Sequence, residues 1–156
     1  MTTRRQFLVL AGGAVAATAT HAQLPPDIAA LRKAALAEAM HKVTGDAPMQ
    51  RGRVRLDVPV LIDNGNSVAL VVEVESPMTV ADHVKAIHVF TEKNPQPYII
   101  TAHLGPRAGR ARVTTRARIA DSGTIVAIAQ MSDGSFWSDS VDVMVSVSAC
   151  GDEGLN

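Results

Sequence analysis

The sequence predicts an all-β fold: an immunoglobulin-like antiparallel β-sandwich of about seven strands, preceded by one N-terminal amphipathic helix. Three observations carry this. Apolar residues recur at helical period only between Ile28 and Val43. From Arg53 onward the period is two, the repeat of strands that bury one face and solvate the other. Clusters of Gly, Asn, Asp, Ser and Pro divide the alternating runs at short intervals, a pattern that two stacked antiparallel sheets satisfy most economically. With a single cysteine the chain cannot form the inter-sheet disulfide of antibody domains.

The elements follow in order. "LPP" at 24–26 precedes Asp27, a candidate helix cap. Ile28, Leu31, Ala35, Leu36, Ala39, Met40 and Val43 then make one stripe, suited to packing on the body of the domain or on another subunit. "TGD" at 44–46 ends the helix. "RVRLDV" sets Val54, Leu56 and Val58 against Arg53, Arg55 and Asp57. After the turn "DNGN", Val68, Leu70, Val72 and Val74 face inward. "HVKAIHVF" and "YIITAHL" flank "TEKNPQP", where two prolines and an asparagine turn the chain. "RVTTRARI" opposes Val113, Thr115, Ala117 and Ile119 to Arg112, Thr114, Arg116 and Arg118. "TIVAIAQM" and, after "SDGS", "SVDVMVSV" complete the set, the last with Val141, Val143, Val145 and Val147 inward.

Ahead of the helix the chain has the three-part form of an export signal. Arg4 and Arg5 precede Phe7 and Leu8, an Ala/Gly-rich apolar run follows, and Thr20 and Ala22 offer small residues for cleavage. The run is too short to span a bilayer, and the paired arginines before Phe-Leu point to the twin-arginine route, which carries folded proteins. The organisation predicted is therefore a signal over 1–22, a helix and sandwich over 23–147 and a mobile arm over 148–156, in the periplasm. Without the signal, 134 residues with 13 basic and 15 acidic side chains remain, a net charge of −2. That length fits one domain able to bury a core without disulfides. The near-neutral balance and the 3% aromatic content argue against a nucleic-acid partner. Nothing after the signal points to a membrane surface.

Several chemistries lack their residues. His83 and His88 are an odd number apart and would face opposite sides of one regular strand; His88 and His103 could meet across a hairpin, but two histidines make a poor metal site. No histidine or methionine follows Cys150 as a copper centre would require, and no Gly-x-Ser-x-Gly elbow occurs. "GPRAGRAR" lacks the lysine of a phosphate loop and reads as a turn. No cofactor is implied. Arg51, Arg53 and Arg55 share one strand face and Arg112, Arg116 and Arg118 another; a solvated sheet face explains both stripes, and a docking surface for acidic partners is the functional alternative.

Cys150 is different. It lies just past the last strand, six residues from the end of the sequence, between Ser148, Ala149 and Gly151, which restrain the backbone little. An unpaired cysteine in an oxidising compartment points to an intermolecular bond or a reactive thiol. On a mobile arm its thiolate could enter the active site of another protein, the geometry of a covalent carrier.

The stretches "SPMT", "VKAIHVFTEKNP" and "MSDGSFW", set in this framework after a twin-arginine signal, resemble the SoxY family, the sulfur-compound carriers of periplasmic thiosulfate oxidation. The resemblance covers nearly the whole mature chain. It implies an immunoglobulin-like sandwich paired with a SoxZ-like subunit as a heterodimer. It also implies that the chain is not itself an enzyme. Cys150 would be the attachment site for thiosulfate-derived sulfur species, loaded by a haem-containing oxidase and processed by a sulfate-releasing hydrolase and a sulfane dehydrogenase. The arm departs from the family's Gly-Gly-Cys-Gly-Gly ending: Ser148 and Ala149 precede the cysteine and "GDEGLN" follows it. Asp152 and Glu153 place two negative charges near the thiol, which raises a thiol pKa and opposes an anionic substrate. That departure leaves a second reading: a SoxY-like paralogue that serves as a binding or assembly module without carrying sulfur.

Overall fold

Residues 26–147 are described by the computed structural model, in the element order α1 (Pro26–Thr44), β1 (Met49–Gln50), β2 (Val54–Asp57), β3 (Leu61–Asn64), β4 (Val68–Val74), β5 (Val84–Thr91), β6 (Tyr98–His103), β7 (Ala111–Ala117), β8 (Gly123–Met131) and β9 (Phe136–Val147). The larger sheet runs β6-β5-β8-β9, with β1 and β3 following one another along the far edge of β9. The smaller sheet is β2-β4-β7, antiparallel throughout. Alternation explains both: Val54, Leu56, Val68, Leu70, Val72 and Val74 point into the space between the sheets, where they meet Ile87, Val89, Ile125, Ala127, Ala129 and Met131. The inward positions read from the sequence for β2, β4 and β7 are all buried or half-buried.

Nine strands stand where about seven were expected. The two additional ones, β1 and β3, are short, and each runs parallel to β9, so the larger sheet is mixed. Neither is long enough to show a period, and β3 overlaps the "DNGN" turn with only Ile62 buried. The last strand also starts earlier than its valine run, at Phe136, and Val147 at its end, expected inward, is 57% exposed.

α1 opens on Pro26, one residue ahead of the proposed cap, as suits a proline that has no N–H to donate within the first turn. It closes where "TGD" requires: Gly45 takes a left-handed φ of 57° and donates its N–H to the His41 carbonyl at 2.7 Å. The C-terminal half of the apolar stripe packs on the larger sheet. Leu36, with Ala39, Met40 and Val43 around it, covers Phe90, Ile128 and Phe136 on the outer face of the larger sheet, while Leu31 is 67% exposed.

Candidate functional site

β9 is the longest strand and leads towards Cys150, so its end positions whatever follows. Val147 is the last described residue; Cys150 and its neighbours Ser148, Ala149 and Gly151 lie outside the described residues, as do Arg4 and Arg5. The root of that segment is firmly tied. The Val147 carbonyl accepts the Gly65 N–H at 3.0 Å, and the Gly65 carbonyl accepts the Ile119 N–H at 2.8 Å, so one residue of the β3–β4 turn bridges the end of β9 and the chain just past β7. Asn64 sits beside Val147 in register, and its Oδ1 accepts both the N–H and the Nδ2 of Asn66 at 2.9 Å, which fixes the turn.

Six further hydrogen bonds complete this end of the sandwich. Arg116 donates from Nε to Ser67 Oγ (2.7 Å) and from Nη2 to the Ser67 carbonyl (2.9 Å), and Arg118 donates from Nη2 to Asn66 Oδ1 (3.0 Å). Asn94, in the β5–β6 loop, donates to the Arg118 carbonyl at 2.8 Å and accepts the Ala120 N–H at 2.7 Å. Ser122 Oγ accepts the Val145 N–H at 2.9 Å. Any group attached three residues beyond Val147 starts no more than about 11 Å from this platform, the reach of three extended residues.

The histidines do not converge. His41 contacts Asp46 on the surface, and His83 Nδ1 lies 3.1 Å from the Thr79 carbonyl. His88 faces Thr101 across the β5–β6 pair while His103 faces Ala86, so the two are not direct partners. The His88 ring is buried against Phe90 and Tyr98, with Nδ1 2.9 Å from Thr101 Oγ1 and 3.1 Å from Tyr98 Oη. Burial first, and then the charge of His103, hold its pKa below the ordinary histidine value. Among the described residues no three His, Cys, Asp or Glu side chains are grouped to hold a metal ion.

Of the two arginine stripes, Arg55 and Arg112 share one face, while Arg51 donates to Ser140 Oγ of β9 at 3.2 Å. In register across the smaller sheet, Arg55 lies beside Glu73 and Glu73 beside Arg112, all three exposed. Glu73 of β4 lies between the two arginines, as expected of a solvated outer face. Arg53 instead places its guanidinium carbon 5.2 Å from the centre of the Trp137 ring.

A profile of the sulfur oxidation protein SoxY matches residues 40–150, so the matched region runs from the last turns of α1 to Cys150 itself. The chain belongs to the SoxY family. Among solved structures, the sulfur carrier protein SoxY from Chlorobium limicola f thiosulfatophilum is 23% identical, with a TM-score of 0.61 over 74% of this chain and 99% of that one. A superoxide reductase (neelaredoxin) from Ignicoccus hospitalis is 17% identical, with a TM-score of 0.54 over 60% of this chain and 80% of that one. A putative superoxide reductase from Thermotoga maritima is 23% identical, with a TM-score of 0.51 over 63% and 87% of the two chains. At these identities the likeness is one of fold. None of the curated proteins compared matches the chain.

The SoxY-like stretches divide between the two ends of the sandwich. "MSDGSFW" forms the β8–β9 turn, where Ser132 Oγ accepts the His83 N–H at 3.1 Å and donates to the Ala81 carbonyl at 3.3 Å. That contact ties it to the connection containing "SPMT", at the far end from Val147. "VKAIHVFTEKNP" is β5 with the loop that brings Asn94 to the platform near Val147. What the sequence reading missed is the platform itself, because its contacts join residues 49 and 52 positions apart.

Proposed function

We propose that this SoxY-family chain is a covalent sulfur carrier, not itself an enzyme, that holds thiosulfate-derived sulfur on Cys150 and presents it to the enzymes of thiosulfate oxidation to sulfate. The observation that carries the reading is the alignment of a tied strand end with the only cysteine: β9 is held by β3 and Gly65 up to Val147, and Cys150 follows three residues later, where the family match ends. The sandwich is then a rigid handle and 148–156 an arm that reaches into other proteins. Loading joins the thiolate sulfur to the outer sulfur of thiosulfate. The thiol proton goes to solvent and two electrons pass to the haem-containing oxidase; hydrolysis and sulfane oxidation by partner enzymes then release sulfate. The carrier works as a heterodimer with a SoxZ-like subunit. It reaches the periplasm folded, through the twin-arginine signal of Arg4 and Arg5, and among the described residues no helix is long and apolar enough to cross a membrane.

The test is the intact mass of the mature protein from cells supplied with thiosulfate. A sulfur-containing adduct is expected on Cys150, absent from Cys150→Ala, with sulfur oxidation lost in that variant. A thiol carrying only hydrogen or common caps, with oxidation unchanged in Cys150→Ala, overturns the reading. The replacement of glycines by Ser148 and Ala149, with Asp152 and Glu153 beyond the thiol, favours the second reading, an assembly module for a SoxZ-like partner. Partner binding without an adduct is its signature.

A further inference from the structure

Beside Val147 lies positive charge that forms no ion pair among the described residues. Arg116 and Arg118 are two positions apart at the end of β7, both exposed and both held by neutral oxygens of the β3–β4 turn. The ion pairs among the described residues are His41–Asp46, Lys42–Glu38 and Lys93–Glu92, and neither arginine takes part in one. Arg116 lines an open cleft of about 250 Å³ with Asp63, Asn64 and Ser67, and even Asp63 makes no ion pair with it. Two guanidiniums already fixed in orientation, with donors to spare, suit a pair of carboxylates.

The chain beyond Val147 carries such a pair. Asp152 and Glu153 follow Val147 by five and six residues, and no basic residue follows Val147. Extended, those residues reach about 17–20 Å. The arginines are much nearer, since Val147 is bonded to Gly65 and Gly65 is followed by Asn66 and Ser67, the partners of Arg118 and Arg116. We propose that the acidic segment after Cys150 docks here, with Asp152 and Glu153 against Arg116 in this cleft and Arg118 beside Asn66. The docking is electrostatic and exposed, so salt weakens it. The inference does not depend on what Cys150 carries, since only the carboxylates and the arginines enter it.

The experiment uses the whole mature chain, as Arg116→Lys and as Arg118→Lys, each of which keeps the charge and supplies an amine. A water-soluble carbodiimide joins amines to carboxylates in contact, and mixing isotope-labelled with unlabelled protein separates links within a chain from links between chains. The expected result is an amide within one chain between position 116 or 118 and Asp152 or Glu153, its yield falling at least about threefold when salt rises from about 0.01 M to about 0.5 M. Failure of both variants to form that link overturns the proposal. A link found only between chains also overturns it, and identifies a second copy as the occupant of the cleft.

Discussion

His88 is 7% exposed, and its Nε2 is buried without a hydrogen-bond partner. A neutral imidazole tolerates that position and an imidazolium does not, which is why burial heads the causes that lower its pKa. The folded state therefore binds fewer protons on His88 than the unfolded chain, where the group titrates at about 6.5. Stability from this residue is fully present above that value, and it falls as pH drops from there towards the lower folded pKa. His88→Phe keeps the ring packing on Phe90 and Tyr98, and the Tyr98 and Thr101 hydroxyls remain bonded to each other. The urea midpoint of the native chain is expected to fall between about pH 7 and about pH 5, and the fall to be smaller in His88→Phe. Equal pH slopes for the two proteins would remove His88 as the cause. The sequence showed this histidine lacking a metal partner; it could not show burial, because that depends on α1 and β6 closing over the ring's surroundings.

At the scale of elements, α1 is the clearest case of a pattern that was legible without its consequence. Its period and its end at Gly45 could both be read from the residues. Which residues of the stripe would pack on the sheet depended on the position of its apolar patch, Phe90, Ile128 and Phe136, and these come from three different strands. Leu36 packs on that patch and Leu31 lies beyond it. Leu36→Ala is therefore expected to cost about 2–3 kcal/mol and Leu31→Ala less than about 0.5 kcal/mol. Denaturant unfolding of the two variants checks this, and equal losses would mean that the whole stripe is covered in solution. Strands β2, β4 and β7 were readable because a strand buried on one face keeps a strict alternation. β1 and β3 were not, because two to four residues added along the edge of β9 are specified by that edge more than by their own sequence.

At the scale of the molecule, alternation gives each strand two faces but does not say which strands share a sheet or how the sheets are joined. One residue shows the join. Asp139 lies on β9 opposite buried Ala127, at a position in the same alternation as Val141 and Val143, where a carboxylate breaks the apolar pattern. Its Oδ2 accepts the Leu56 N–H at 2.9 Å and its Oδ1 the Ser140 N–H at 2.8 Å. Leu56 belongs to β2, an edge strand of the other sheet whose neighbour on one side is β4. Asp139 thus supplies to β2 the acceptor that a further strand would have supplied, and fastens the smaller sheet to the strand that leads to Cys150. Removing it leaves the Leu56 N–H part-buried and unpaired, for which a loss of about 1–3 kcal/mol is expected in Asp139→Ala. Asp139→Asn keeps one oxygen acceptor and should lose less. The specific readout is hydrogen exchange: the Leu56 amide should exchange faster in Asp139→Ala by more than the global loss of stability predicts, while amides between β8 and β9 follow the global loss alone. Unchanged protection at Leu56 would show that β2 is held by its packing on the core, with the carboxylate contributing nothing to the join.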